Sequence, residues 1–200
     1  MNIYGVFPTP VGKFTLGREL TDFETKFCTG QETTQNMGNT TSADRYVLKH
    51  KRMAKLREFV ETSVAEYAKA IHAPKHDVTF RITQSWFNYT KVGQFHHKHA
   101  HPNSFISGVL YMKALRENDK IHFYNDAYRP IDIPTDNWNL YNSKSWWFEV
   151  ATGDLMLFPS SLTHSVEPVQ GDERISLAFN VYPVGYVGEE ENLTALHLRD

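Results

Sequence analysis

The sequence has little of several features that would assign its class at once. It contains a single cysteine, Cys28, among 200 residues, so no internal disulfide can form and a reducing, cytoplasmic setting is expected, the host cytoplasm if the protein is viral. No stretch approaches the roughly 18 consecutive apolar residues of a membrane span, and residues 1–12 lack the pattern of a signal peptide. The 21 basic residues are balanced by 23 acidic ones, which argues against a nucleic-acid partner.

An amphipathic helix is the first periodic element of the sequence. Across residues 49–72, apolar side chains recur at steps of three and four, and Pro74 ends the pattern. The apolar positions are Met53, Leu56, Phe59, Val60, Val64, Tyr67, Ala68 and Ile71. Before this helix, the Thr-, Asn- and Gly-rich residues 29–42 predict a loop. We expect the helix to pack against a sheet.

Beyond Pro74 the sequence changes to short runs of β-branched and aromatic residues, which predict strands. The predicted strands are residues 78–89, 105–113, 120–124, 146–150, 154–158 and 175–182. Short strands after a helix favour a mainly β fold of the α+β class, a sandwich or barrel with flanking helices. Residues 124–141, which include Arg129 and Asp132, are expected to form a long loop across the mouth of a pocket.

Four of the ten histidines cluster within residues 93–101. Two of them, His99 and His101, precede His164, which follows His101 by 63 residues, and strand alternation would put His97 on the same face as this pair. Imidazole suits iron, and three protein ligands leave positions open for substrate and oxygen. We therefore predict a mononuclear iron site on His99, His101 and His164, which is typical of an oxygenase. The alternatives are that His97 pairs with His99, or that the cluster is a solvated loop that binds metal adventitiously.

Arg174 and Ser176 occupy alternate positions on an apolar strand that begins ten residues after His164. A buried guanidinium needs an anion. A dicarboxylate co-substrate would meet this need, and an internal Asp or Glu is the alternative. Asn180 shares their face by the period of two and is expected to line the pocket, while Pro159 is expected to form the turn before His164. Four aromatic residues are predicted to belong to the core: Trp86, Trp146, Trp147 and Phe179.

Together these residues resemble the 2-oxoglutarate- and Fe(II)-dependent oxygenases, in particular the small phage and bacterial members related to prolyl hydroxylases. The resemblance covers about residues 86–182, with a weaker similarity at residues 7–11. That group has a tyrosine ten residues before its first metal histidine, which Tyr89 matches. Its serine or threonine followed four residues later by a tyrosine is matched by Ser107 and Tyr111. Its arginine ten residues after the distal histidine is matched by Arg174, and Ser176 completes the Arg-x-Ser form of some branches.

The resemblance implies a double-stranded β-helix, the jelly-roll or cupin-like barrel, in a single domain of residues 1–200. Residues 1–75 would hold the helix, residues 76–185 the β core, and residues 186–200 a tail that is solvated or packs as a helix on a dimer mate. Fe(II) and 2-oxoglutarate would be bound, and no catalytic side chain beyond the metal ligands is expected. Arg174, Ser176 and Tyr111 would hold the far carboxylate of 2-oxoglutarate, with Tyr89 and Asn180 lining the pocket. The expected reaction is hydroxylation of a peptidyl or small-molecule substrate, coupled to conversion of 2-oxoglutarate to succinate.

One position departs from the family pattern. His101 stands in His99-Ala100-His101, where the family usually has His-x-Asp or His-x-Glu, and the change removes one negative charge beside the metal. An HxH pair at this place is common in the phage subgroup, which keeps His101 as the predicted ligand. The alternative is a carboxylate from elsewhere in the strand region, and the candidates are Asp119, Asp126 and Asp154.

Two other classes of function fit parts of the same pattern. Gly93 before the His99 pair, and Gly153 through Pro159 to His164, also resemble the two halves of a cupin motif, although the cupin glutamate after the second histidine is absent. This would indicate a three-histidine iron dioxygenase that does not use 2-oxoglutarate. The remaining alternative is a non-catalytic jelly-roll binding module. Arg174 separates these hypotheses, because only the first requires it for binding 2-oxoglutarate.

Overall fold

The computed structural model describes residues 1–127, 131 and 133–199. This part of the chain holds helices α1 (Asp22–Thr29) and α2 (Ala54–His72). The strands are β1 (Gly12–Thr15), β2 (Thr33–Gln35), β3 (Thr40–Ser42), β4 (Val78–Thr90), β5 (His96–His99), β6 (Ile106–Lys113), β7 (Lys120–Tyr124), β8 (Ser145–Glu149), β9 (Asp154–Pro159), β10 (His164–Val166), β11 (Arg174–Val187) and β12 (Leu196–Leu198).

The strands form two antiparallel sheets. The larger sheet has the order β1–β9–β6–β11–β4–β3–β2, with β12 paired to β11, and the smaller sheet has the order β5–β10–β7–β8. Consecutive strands of the core are distributed between the two sheets, which is the topology of a double-stranded β-helix. The fold class predicted from the sequence is confirmed.

Two layers of apolar side chains hold the fold together. Between the sheets, Tyr111 from the larger sheet packs with Phe123 from the smaller one. On the outer face of the larger sheet, α2 buries Leu56 and Val60 against Phe87. Each fully buried aliphatic or aromatic side chain of this kind contributes about 1.5–3 kcal/mol, so the periodic face of α2 fixes the helix to the sheet.

The predicted secondary structure is confirmed for α2 and for strands β4, β6, β7, β8, β9 and β11. α2 starts at Ala54 rather than at residue 49, because two short 3-10 turns precede it. It ends where Ala73 adopts a left-handed conformation with φ of 40°, directly before Pro74. Pro159 accepts a hydrogen bond of 2.9 Å from the Leu162 backbone, which confirms the predicted turn before His164.

Three segments differ from the prediction. Residues 29–42 are not a loop: they contain β2 and β3, a short polar hairpin that extends the larger sheet beside β4. α1 was not predicted, although Thr21 and Glu24 form a capping box at its start. The C-terminal tail, expected to be solvated or helical, is exposed at residues 190–197, and it turns back to add β12 to β11.

The loop prediction for residues 124–141 agrees with the structure in part. Its described residues beyond β7 contain neither helix nor strand, whereas Arg129 and Asp132 lie outside the described residues. Among the four aromatic residues predicted to be core, Phe179 is fully buried, but Trp146 and Trp147 are 37% and 48% exposed. They lie on β8, at the edge of the smaller sheet, which explains their exposure. No helix in the described part of the chain is long and apolar enough to cross a membrane.

Candidate metal and co-substrate site

The fold brings His99, His101 and His164 together. His99 and His164 lie directly opposite each other on β5 and β10, while His101 follows the end of β5 and is held by a 2.9 Å hydrogen bond from its backbone N–H to the Ser160 carbonyl. Their potential ligand atoms all lie within 4.8 Å of one another. Strand pairing therefore brings His164 to His99 and His101, which are already close to each other in the chain.

Each of the three imidazole rings has its Nδ1 atom within hydrogen-bonding distance of an oxygen acceptor. Nδ1 of His99 lies 2.7 Å from the carbonyl oxygen of His97, and Nδ1 of His164 lies 3.1 Å from that of Leu162. Nδ1 of His101 lies 2.6 Å from Oδ1 of Asn180. Since each Nδ1 must donate to an oxygen acceptor, the proton resides there and Nε2 keeps its lone pair.

The Nε2 atoms of His99 and His101 face each other at 3.0 Å. Two lone pairs at this distance repel unless a cation or proton lies between them. Nitrogen ligands about 2.1 Å from one metal ion and at right angles to each other are about 3.0 Å apart, so the separation fits two adjacent positions around a metal. The donor set therefore suits a divalent ion such as Fe(II).

Burial keeps these rings neutral. It lowers the pKa of His99 to about 4 and that of His164 to about 3, and it also lowers the pKa of His101. A neutral imidazole is the form that binds a metal ion, so the cluster is ready to bind one at neutral pH.

The carboxylates considered as alternative ligands lie elsewhere. Asp119 contacts Arg174, Asp126 pairs with Lys98, and Asp154 pairs with Lys13. Within the described residues, the groups that could hold a metal contain histidines only, and the second such group joins His96 and His97 to the shared His99. The structure thus groups His101, and no carboxylate, with His99 and His164.

A cavity of about 460 Å³ adjoins the cluster, within the range of small-ligand pockets. The three histidines line it together with Tyr111, Arg174, Ser176 and Asn180. Tyr111 and Ser176 are register partners on β6 and β11. Beyond the metal ligands, the sequence predicts five pocket residues: Arg174, Ser176, Tyr111, Tyr89 and Asn180. The cavity wall includes all of these except Tyr89.

The two most deeply buried residues of this set are Arg174 and Tyr111, called here the Arg174–Tyr111 pair. Arg174 is 3% exposed and Tyr111 is 1% exposed, and the Tyr111 hydroxyl has no hydrogen-bond partner among the described residues. Burial lowers the pKa of Arg174 and raises that of Tyr111. A buried hydroxyl without a partner, beside a guanidinium, is the environment expected of an anion-binding site.

An internal carboxylate also approaches Arg174, as the alternative hypothesis allowed. Oδ1 of Asp119 lies 3.4 Å from Nη1 of Arg174, longer than the roughly 2.7–2.9 Å of a strong charge-assisted hydrogen bond. Asp119 also accepts a 2.8 Å hydrogen bond from the Leu115 backbone. One long contact leaves most of the five N–H donors of Arg174 for another partner.

The prediction that Tyr89 lines the pocket is wrong. Its hydroxyl donates a 2.6 Å hydrogen bond to the Cys28 carbonyl, and its ring belongs to the core beneath the other face of the larger sheet. Alternate residues of a strand point to opposite faces, and on β4 it is Gln84, Trp86 and Asn88 that line the cavity. Trp86, predicted to be core, stacks against His101 with 6.0 Å between ring centroids.

The cavity also contains residues that sequence reasoning missed, notably Asn88, Arg45 and His96. The period of two could have placed Trp86 and Asn88 on one face of β4, but it does not say which face is inward. Arg45 gave no signal in the sequence, because it follows a segment predicted to be a loop.

The fold and the cavity define a double-stranded β-helix protein with a histidine cluster that could hold a metal ion. HygX from Streptomyces hygroscopicus, solved with nickel, 2-oxoglutarate and hygromycin B, has a TM-score of 0.62 and 10% identity, covering 96% of this chain and 92% of its own. A 2OG-Fe(II) oxygenase family oxidoreductase from Burkholderia pseudomallei has a TM-score of 0.58 and 13% identity, covering 85% and 84%. A Pseudomonas putida prolyl-4-hydroxylase has a TM-score of 0.53 and 14% identity, covering 86% and 92%. No curated protein sequence matches significantly.

The family described as "Putative 2OG-Fe(II) oxygenase" matches residues 84–180, a span that includes the histidine cluster, Arg174 and Asn180. This match, together with the fold, supports the superfamily of 2-oxoglutarate- and Fe(II)-dependent oxygenases and an enzyme of that class. Fe(II) and 2-oxoglutarate, the cofactor and co-substrate predicted from the sequence, are those of this family.

Proposed function

We propose that the protein is a hydroxylase that couples the decarboxylation of 2-oxoglutarate to succinate with the hydroxylation of a C–H bond in a peptidyl or small-molecule substrate. One observation carries the proposal: the histidine cluster and the Arg174–Tyr111 pair line the same cavity. Bound Fe(II) supplies the oxygen chemistry of the reaction. The chain's own residues bind, orient and enclose the reactants.

His99, His101 and His164 are proposed as the metal ligands, each through Nε2. The acceptors on His97, Leu162 and Asn180 hold the Nδ1 protons and so fix the ring orientations. Such outer hydrogen bonds raise the basicity of a ligand and keep it in place. Three protein ligands leave other positions for 2-oxoglutarate and oxygen.

Arg174, Ser176 and Tyr111 are proposed to bind the far carboxylate of 2-oxoglutarate. The guanidinium supplies charge and two parallel donors, and the Tyr111 hydroxyl, which has no partner among the described residues, supplies a third. The near-complete burial of these groups strengthens their interaction with the anion and keeps water away from it.

The test is succinate formation in air with Fe(II) and 2-oxoglutarate. Wild-type protein should release succinate even without its primary substrate, Arg174→Ala should lower the rate by about 100-fold at limiting 2-oxoglutarate, and Arg57→Ala, an exposed arginine on α2, should match wild type. Equal rates for Arg174→Ala and wild type would contradict the role of Arg174, and no succinate from folded, iron-loaded wild type would support a cupin-type dioxygenase instead. A substrate found by screening must gain one oxygen atom by mass spectrometry, and oxidation without that gain would contradict the hydroxylase assignment.

A further inference from the structure

A row of polar side chains crosses the larger sheet along the cavity. Tyr111, Ser176, Asn88 and Thr41 are register partners on the neighbouring strands β6, β11, β4 and β3, and all four line the cavity. Facing side chains on adjacent antiparallel strands have Cβ atoms about 4.5–5.5 Å apart. The first two belong to the proposed 2-oxoglutarate site, and the row therefore continues beyond it toward the β2–β3 hairpin.

Arg45 lies at the hairpin end of this row. Its guanidinium donates hydrogen bonds to Thr41 Oγ1 at 2.8 Å and to Thr34 Oγ1 at 3.0 Å, and it also contacts the Ser42 carbonyl. These acceptors are all neutral. In the described part of the chain, no acidic side chain forms an ion pair with Arg45. The cavity wall thus carries a positive charge that is held in place, and no acidic side chain of the described residues neutralises it.

Asn88 gives a second, independent indication of a ligand. It is 3% exposed, and its Oδ1 atom has no hydrogen-bond partner among the described residues. Buried amide oxygens are nearly always paired, so an acceptor left open beside a cavity marks the place of a donor on a ligand. Asn88 is the register partner of Thr41, which Arg45 contacts.

Trp86 connects this polar region to the histidine cluster. It lies two residues before Asn88 on the same face of β4, lines the cavity, and stacks on His101 at an interplanar angle of 24°. Its ring offers an apolar surface to the carbon skeleton of a ligand. A molecule anchored at Arg45 would therefore extend over Trp86 toward the metal site.

We propose that the primary substrate is a small organic anion whose carboxylate or phosphate group binds Arg45. A hydrogen-bond donor of the substrate pairs with Asn88 Oδ1, and its apolar carbon skeleton lies over Trp86. This inference rests on the proposed hydroxylase function. It favours a free small molecule over a residue inside a peptide, since the backbone of an internal residue carries no anionic group.

The test uses two matched pairs of probes, 3-phenylpropanoate with 3-phenylpropanamide, and phenyl phosphate with phenol. Their affinities are measured by calorimetry without oxygen, on protein with Fe(II) and saturating 2-oxoglutarate, so that Arg174 is occupied. Wild type should bind at least one anion about tenfold more tightly than its neutral partner. Arg45→Gln should lose about tenfold in affinity for the anion only, and Arg57→Gln should behave as wild type. The pair that shows the larger difference distinguishes carboxylate from phosphate.

Equal affinity of wild type for both members of both pairs would overturn the proposal, however the variants fold. A folded Arg45→Gln protein that keeps the full preference for the anion would also overturn it, and the role of Arg45 would then be to brace the β2–β3 hairpin. Arg45→Lys, which retains the charge, should keep part of the preference. If 2-oxoglutarate does not bind, the proposed function fails separately, and the probes are then measured on Arg174→Ala protein, where Arg174 no longer competes for the anion.

Discussion

Nδ1 of His101 lies 2.6 Å from Oδ1 of Asn180, and this contact connects the histidine cluster to the strand that carries Arg174. His101 follows the end of β5, so its ring orientation depends on Asn180 and on the stacked ring of Trp86. His101 also occupies the position at which related oxygenases usually have a carboxylate. Asn180 is therefore the residue that would position His101 as a metal ligand.

Replacing Asn180 should weaken metal binding without removing a ligand. Asn180→Leu is expected to lower the affinity for Fe(II) by about tenfold, because the Nδ1 proton of His101 loses its acceptor. Asn180→Asp keeps an acceptor and should bind Fe(II) at least as tightly as wild type. Anaerobic calorimetry measures both. Unchanged affinity in Asn180→Leu would show that the contact does not position His101.

The identity of the third ligand can be tested at His101 itself. His101→Ala should lower Fe(II) affinity by about 100-fold or more, whereas His101→Asp, which restores the usual carboxylate, should retain binding and succinate formation. The same two substitutions at His97 serve as controls, since that ring belongs to the second histidine group. If His97→Ala abolished binding and His101→Ala did not, the metal would lie on the neighbouring group.

Asp119 should oppose the binding of 2-oxoglutarate, because it places a negative charge 3.4 Å from Arg174. Asp119→Asn leaves the buried guanidinium without its counter-charge, so the free energy of unfolding of the ligand-free protein should fall by about 2 kcal/mol. The dianion should then compensate more strongly, and 2-oxoglutarate should raise the Tm of Asp119→Asn more than that of wild type. An equal or smaller rise would indicate that Asp119 and 2-oxoglutarate do not share Arg174.

Close packing at Gly108 predicts a stability defect. Gly108 lies opposite Phe179 in register, and an added Cβ would overlap the phenyl ring. Gly108→Ala should lower the free energy of unfolding by about 3 kcal/mol in urea titrations. Gly5→Ala, where nothing lies within 4 Å of the new Cβ, is the control. A loss below about 1 kcal/mol would mean that the ring can move aside.

The parts of the fold that follow from local periodicity could be predicted. The apolar stripe of α2 specifies both the helix and its buried face, and the β-branched runs of β4, β6 and β11 specify the strands. The polar strands β2 and β3 could not be recognised, because their Thr-rich sequence carries no alternation of apolar residues and their pairing with β4 is a long-range contact. A short helix such as α1 likewise leaves only its cap in the sequence.

Within the site, the histidine and arginine spacing identified residues that the structure brings to one cavity, but spacing could not decide which way a side chain points. The spacing of ten residues between Tyr89 and His99 in the sequence predicts Tyr89 in the pocket. The register of β4 with β11 instead directs Asn88 inward and Tyr89 into the core. The sequence did not predict that His96, Asn88 and Arg45 line the cavity, because their positions depend on how separate strands pair.

The central claim is that this cavity binds Fe(II) and 2-oxoglutarate side by side, and one measurement tests it directly. Folded protein is titrated without oxygen, first with Fe(II) and then with 2-oxoglutarate, and the visible absorption is recorded. The histidine cluster and Arg174 predict a metal-to-ligand charge-transfer band that saturates at one 2-oxoglutarate per protein and is lost in Arg174→Ala. Absence of the band in wild-type protein that is folded and loaded with iron would contradict the claim.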